Sequence, residues 1–175
     1  MSTIAIAFPE DPAFLIVGQP RHGKNTVAEC IAEHTGLTWM DSSTTIYRFV
    51  SNCLGISEQA LRWIPKERLR PILIAVGDYL TNYVDERYYP RTLFDLHHRI
   101  HVGLRRASDL RAFRIECAER GFDPIVIWVN NPNAPEVLDN LEIEEEDTDL
   151  TILNAVSVAD LSEDVQNLIK ELFGE

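Results

Sequence analysis

The chain has 175 residues, 45% hydrophobic and 25% charged, with nine Pro and eight Gly spread along it. That composition suits one compact domain and excludes a wholly disordered, fibrous or low-complexity chain. Its net charge of -12 is uneven: residues 1–120 hold 15 basic against 14 acidic side chains and residues 121–175 hold one against 14, so the last third repels polyanions while arginine clusters upstream can still hold phosphates.

Residues 13–17, Ala-Phe-Leu-Ile-Val, are an apolar run ending at Gly18 and predict a buried parallel strand. Val27, Cys30 and Ile31 predict a helix over 25–34, stopped by Gly36. Residues 37–40 predict a second, shorter strand, and Asp41-Ser42-Ser43 a helix N-cap. From 43 to 99 no strand pattern occurs. Ile46, Phe49, Val50, Cys53 and Leu54 share a helical face, Ser57 starts another helix, and Pro65 fits the first turn of a third, which Pro71 is expected to kink or divide. Leu73, Val76, Leu80 and Val84 continue an apolar stripe. An insert of this length between strands predicts a separate lobe on one side of the sheet. Residues 100–104 predict the third strand. Residues 106–120 predict an amphipathic helix with Leu110, Phe113 and Cys117 inward, and 125–129 the fourth strand. Residues 130–149, rich in Pro, Asn and Glu, read as a mobile loop or lid. Residues 150–153 predict the fifth strand, and 160–173 a closing helix with Leu161, Val165, Leu168, Ile169 and Leu172 as its apolar face. The order predicts an α/β fold: one domain over 1–175, in three αβα layers around a five-stranded parallel sheet.

Gly18-Gln-Pro-Arg-His-Gly23-Lys24 lies between the first strand and the first helix and fits GxxxxGK. Glycines let a backbone curl around an anion with its N–H groups inward. The helix N-terminus adds positive potential, and a lysine at this position reaches β- and γ-phosphates. The ATP-binding candidates are therefore Gly18, Arg21, His22, Gly23, Lys24, Asn25 and Thr26. The residue after this lysine usually offers Mg²⁺ a hydroxyl; here it is Asn25, followed by Thr26. An amide oxygen is the poorer ligand for a hard cation.

Gly23-Lys24-Asn25-Thr26-Val27-Ala28-Glu29 resembles the GKDTVAE stretch of phage-type deoxynucleoside monophosphate kinases, which belong to the adenylate kinase and dephospho-coenzyme A kinase group of P-loop kinases. Ile100-His-Val-Gly-Leu-Arg105 with Asp109-Leu110, and Ile125-Val-Ile-Trp-Val-Asn-Asn-Pro132, are similar to the later half of that family. There a strand ends in Asp-x-Arg, an acid follows, and the next strand leads into a lid loop with Pro. Asp149-Leu-Thr-Ile-Leu-Asn154 is a weaker third match. The matches frame most of the chain, residues 44–99 excepted. A related phage group that phosphorylates 5-hydroxymethyluracil in DNA shares these motifs. The resemblance implies a P-loop NTPase fold with a helical substrate-binding insert at about 43–99 and a lid-like loop at about 130–149. It also implies ATP and Mg²⁺ on residues 18–26 and phosphoryl transfer to a (deoxy)nucleoside monophosphate. Two positions depart from the family: its Asp after the lysine is Asn25, and its Asp at the end of the third strand is Gly103. Asp41 is the candidate substitute, because carboxyl ends of neighbouring parallel strands converge on one crevice; it is equally a candidate simple N-cap. The metal candidates are Asn25, Thr26 and Asp41.

Phosphoryl transfer needs positioned positive charge. The lid carries none, but holds Glu142, Glu144, Glu145, Glu146 and Asp147 and reads as a solvated loop. Arg105 and Arg106 then complete the catalytic candidates with Lys24 and Asp41, and Arg48, Arg68, Arg70 and Asp78 are the acceptor-binding candidates. Tyr83, Tyr88 and Tyr89, near Arg87 and Arg91, are candidates either for stacking on a base or for anchoring the insert. His97 and His98 read as a loop, and no zinc set is present.

The expected function is ATP-dependent phosphotransfer to a nucleotide. One alternative is phosphorylation of 5-hydroxymethyluracil in phage DNA, with Asp41 or Asp78 as general base. Another, motivated by Asn25 and Gly103, is a nucleotide-binding module without turnover. The charge distribution favours a free nucleotide over DNA as partner, and a homodimer is left open. No apolar run reaches the roughly 18 residues of a membrane span, and residues 1–12 lack the pattern of a signal peptide. Cys30, Cys53 and Cys117, odd in number and without a CxxC pair, point to a reducing cytoplasm, the host's if the chain is phage-encoded.

Overall fold

A computed structural model of the chain describes residues 10–135, 141–154 and 158–173. Most of the 1–12 segment and the centre of the expected lid lie outside these. In chain order the elements are β1 (Pro12–Val17), α1 (Lys24–Thr35), β2 (Trp39–Asp41), α2 (Ser42–Leu54), α3 (Glu58–Arg62) and α4 (Lys66–Tyr79). A π-helical turn (Leu80–Val84), α5 (Tyr88–Asp95), β3 (Ile100–Val102), α6 (Ala107–Arg120) and β4 (Asp123–Asn130) follow. A 3-10 turn (Glu145–Asp147), β5 (Leu150–Leu153) and α7 (Val158–Phe173) complete the chain.

The five strands are parallel in the order β2-β3-β1-β4-β5. Central β1 is buried throughout. Its Phe14 and Ile16 enter a core shared with α1 and α7, while Ala13, Leu15 and Val17 enter a second core shared with α5 and α6. A strand covered on both faces has no polar side to show, so it reads as an unbroken apolar run. Three layers result. Local signals place the helix ends. Gly36, at φ 71°, donates its N–H to the Ala32 carbonyl (2.9 Å) and ends α1. Asp41 accepts the Ser43 N–H (2.7 Å) to start α2, and Ser57 accepts the Ala60 N–H (3.1 Å) to start α3.

The insert differs from expectation in three ways. First, α4 runs on past Pro71 undivided. Second, the stripe through Leu73 and Leu80 fails at Val84, which is 55% exposed: the π turn spans more residues per turn than an α-helix, so the following side chains rotate out of register. Third, the insert is no free-standing lobe. Its small core of Tyr47, Val50, Leu61, Leu69 and Leu73 joins the sheet core through Ile46, which packs against both. Its last helix, α5, puts Tyr89 and Phe94 directly into the sheet core. Buried Glu116 of α6 ties this helix down by accepting from Arg91 (3.1 Å) and pairing ionically with Arg87 (3.3 Å).

In the described part of the 130–149 segment Glu142, Glu144, Glu145, Glu146 and Asp147 are exposed, as a solvated acidic run should be, yet the segment is anchored to the sheet. Ile143 is 1% exposed and lies in the second core. Around it, the Glu142 N–H donates to the Arg105 carbonyl (2.8 Å) and the Asp149 carboxylate accepts the Val126 N–H (2.8 Å). One apolar side chain that reaches the sheet face outweighs the acidic company it keeps in sequence.

Candidate functional site

The GxxxxGK segment lies at the carboxyl end of the central strand, pressed between the ends of β4 and β5. Gly18 has φ 137°, and a Cβ there would collide with the Val129 carbonyl oxygen. Gly23 has φ 91°, and a Cβ there would collide with the Asn154 side-chain amide. Only glycine fits both conformation and space. Arg21 between them is exposed and also left-handed, at φ 68°. The Lys24 ammonium donates to the carbonyls of Gly18 (2.8 Å) and Gln19 (2.7 Å), spanning the loop from inside.

His22 fastens the loop to its neighbours. Its Nδ1 accepts the Asn131 N–H (3.0 Å) and its carbonyl accepts from the Asn154 amide (2.9 Å). Asn154 in turn donates its backbone N–H to the Asn130 carbonyl (2.7 Å). Burial lowers the pKa of His22, a hydrogen bond to the Val129 backbone opposes that, and the Lys24 charge lowers it further. The imidazole is thus held neutral, as an accepting Nδ1 requires. Asn131 and Asn154 were not singled out as site residues in the sequence; the signal for them is their place just beyond strands flanking a switch point.

Of the helix N-termini at this end of the sheet, those of α1 and α6 differ. α1 has no side-chain cap and no acid in its first turn, so its positive end is offered to an anion. α6 is already filled: Asp109 accepts the N–H groups of Arg105 (3.3 Å) and Arg106 (3.1 Å), and Glu142 accepts that of Ala107 (3.3 Å). Burial raises the pKa of Asp109 against those hydrogen bonds. Arg105 and Arg106 form the elbow before α6, and Arg106 is ion-paired with Asp78 of α4. Two residues expected in separate roles are therefore partners.

A cavity of about 630 Å³ opens beside α1, bounded by the end of β2, by α2 and by the link from α3 to α4. Asn25 and Asp41 line it, as do Trp39, Tyr47, Arg62 and Trp63. Its volume is in the range of small-molecule sites. Asp41 keeps its capping bond while lining this space. A Cβ on Gly103 would lie 3.7 Å from each Asp41 carboxylate oxygen, so Asp41 stands beside the strand end that the resembling family furnishes with an acid.

The acceptor candidates lie elsewhere. Arg48 pairs with Glu58 (3.4 Å) and lines a smaller cavity of about 130 Å³. Neither Arg68 nor Arg70 lines the larger cavity. The cavity's arginine is Arg62, which the sequence reading passed over, as it did Trp39, Tyr47 and Trp63. Tyr88 and Tyr89 make an edge-to-face pair against the core, whereas Tyr83 is 80% exposed and stacks on Tyr79.

Among the described residues no group of three or more His, Cys, Asp or Glu side chains is arranged to hold a metal. Asn25, Thr26 and Asp41 are oxygen donors, and the first and last share the cavity. That set fits Mg²⁺, which keeps waters and takes few protein ligands beside phosphate oxygens.

No family model matches the chain, and no curated protein matches it. Solved structures do. The APS kinase of Mycobacterium tuberculosis in complex with AMPPNP and APS superposes with a TM-score of 0.51 at 17% identity, over 91% of this chain and 98% of that one. The fold is that of a P-loop kinase. Shikimate kinase from Aquifex aeolicus (TM-score 0.49, 11% identity, 93% and 99% covered) and a gluconokinase from Sinorhizobium meliloti 1021 (0.46, 16%, 94% of each) are further similar structures. These similar structures are kinases with different named substrates. Among the described residues no helix of this P-loop kinase fold is long and apolar enough to cross a membrane.

Proposed function

We propose that the chain is an ATP-dependent phosphotransferase acting on a (deoxy)nucleoside monophosphate. One observation carries the donor half: the Gly18–Lys24 turn is closed around the Lys24 ammonium at the uncapped start of α1. In this reading Lys24 exchanges the Gly18 and Gln19 carbonyls for phosphate oxygens and follows the charge onto the transferred group. Asn25, Thr26 and Asp41 would hold Mg²⁺, which when bound neutralises charge on the phosphates. Arg105, and Arg106 once it leaves Asp78, add positive charge from the elbow. The acceptor occupies the cavity lined by Asn25 and Asp41. The terminal phosphoryl group passes from ATP to an acceptor phosphate oxygen, leaving ADP. That oxygen is already ionised, so no strong base is required. The free thiols of Cys30, Cys53 and Cys117 suit a reducing cytoplasm.

A second reading, phosphorylation of a hydroxymethyl group on a base in DNA, is favoured by the carboxylate of Asp41 in the cavity. There Asp41 would take the hydroxyl proton as the oxygen attacks.

ADP release is measured with a panel of deoxynucleoside monophosphates and with DNA containing 5-hydroxymethyluracil, alongside calorimetry with ATP. Release with a free monophosphate, lowered at least about 100-fold by Lys24→Ala, is the expected result. Release with the polymer alone selects the second reading. ATP binding without release for any acceptor makes the protein a nucleotide-binding module, and no heat with ATP, with or without Mg²⁺, removes the proposal.

A further inference from the structure

The large cavity has two chemically different parts. Asn25 and Asp41 lie where it meets the P-loop and the sheet. Farther from the sheet it is aromatic, with Tyr47 from α2 and Trp63 just after α3. Arg62 belongs to this outer part. Its guanidinium carbon sits 4.6 Å from the centre of the Tyr47 ring, and it donates a long hydrogen bond to the Thr44 hydroxyl at 3.5 Å. A guanidinium laid against a ring is fixed in orientation, and its N–H donors point outward in its own plane. Such a fork matches acceptors on the edge of a second planar ring. Trp63 is 82% exposed, more than any other large apolar side chain among the described residues. Its indole is a broad apolar face at the cavity's edge, the kind of surface on which planar rings stack. A polyol offers neither a face for the indole nor an in-plane edge for the fork.

We infer that the outer part of this cavity is a subsite for a planar, oxo-bearing heterocycle, with Trp63 and Arg62 as residues that determine acceptor specificity. The ring stacks on indole, and Arg62 donates to its carbonyl oxygens. Guanine, thymine and 5-hydroxymethyluracil present such oxygens. Adenine presents an amino donor in the corresponding place and binds less well. The inference rests on the phosphotransferase reading for the ring's being part of the acceptor, but ring binding itself is measurable without turnover.

The experiment pairs tryptophan fluorescence titrations with steady-state kinetics on the full chain. The probes are the monophosphates of thymidine, deoxyguanosine and deoxyadenosine, with shikimate and gluconate as non-aromatic acceptors. Quenching by the aromatic compounds and not by the polyols is expected. Trp63→Ala should raise KM for thymidine monophosphate about tenfold with kcat changed less than about twofold, and Trp63→Phe should restore most of the loss. Arg62→Lys, which keeps the charge and loses the fork, should reduce the preference for oxo-bearing bases over adenine. Ile72→Ser, at an exposed position outside the cavity lining, is the control and should leave every constant unchanged. Equal binding of polyols and nucleotides, or an unchanged KM in Trp63→Ala, overturns the subsite. If ATP gives no heat while thymidine monophosphate still quenches, the phosphotransferase reading fails and the ring subsite stands. If ATP turns over with acceptors irrespective of a ring, the subsite fails and that reading stands.

Discussion

Asp41 caps α2 and, in the proposed function, also serves the reaction with the same carboxylate, and the two can be separated chemically. As a cap it needs an oxygen to accept the Ser43 N–H; as a metal or proton partner it needs the charge. Asp41→Asn keeps the first and loses the second. Its urea-unfolding free energy should stay within about 0.5 kcal/mol of wild type, since Asn caps as well as Asp, while kcat/KM falls at least about 100-fold. Asp41→Ala should lose about 1 kcal/mol as well. Equal activity in Asp41→Asn would leave the cap as its whole role. His101 makes a different kind of statement. It is fully buried between Phe94 and Phe113, and burial pushes its pKa down to about 3 from an ordinary 6.5, against a hydrogen bond to the His98 carbonyl. The unfolded chain therefore binds a proton that the native state refuses, between pH 6.5 and about 3. Stability is full above that window and falls as pH drops through it. At pH 5 the loss from this one ring is about 2 kcal/mol. Urea titrations at pH 8 and pH 5 should show a drop, and His101→Leu should remove about 2 kcal/mol of it. His22, with its pKa also lowered, contributes in the same direction.

At the scale of elements, the segment before β5 is held by Ile143. Ile143→Ala should cost about 2–4 kcal/mol, as for other buried aliphatic truncations; a change below about 0.5 kcal/mol would show that the segment is not part of the core. This element was illegible in the sequence for a physical reason. A single isoleucine between Glu142 and Glu144 has no periodicity, and its burial is decided by a sheet face assembled from distant strands. β1 and β4 were legible because burial on both faces writes itself into consecutive residues, and the P-loop because its geometry is local, with glycines and lysine a few positions apart. The cavity beside α1 was not. Arg62 and Trp63 end a short helix with no repeating pattern, and they reach Asp41 and Tyr47 only once α2 and α3 fold against each other. The insert arginines drew attention by their charge, whereas Arg48 spends that charge on Glu58. The π turn defeated the stripe through Val84 because an added residue per turn cannot be read from apolar spacing.

For the molecule as a whole, the two sheet cores are continuous with the central strand, while α2, α3 and α4 share a much smaller cluster linked to the rest through Ile46. Local opening free energy follows buried apolar contact. Hydrogen exchange should therefore release the amides of α3 and α4 well before those of β1 and β4. Simultaneous exchange of all four would mean that the insert and the sheet open as one unit.

The pairing of Arg106 with Asp78 bridges the seam between these two parts, with both side chains partly open to solvent. Counter-ions at about 0.1 M screen charges over about 10 Å, and an exposed ionic tie is worth at most about 1 kcal/mol. Ionic strength then acts as a soft lever on one side of the protein alone: raising sodium chloride should quicken exchange in α4 severalfold and leave the central strand at its former rate. A phosphate drawn to the same guanidinium competes with Asp78 for its charge, so a polyanion bound at the elbow and added salt should loosen the same joint.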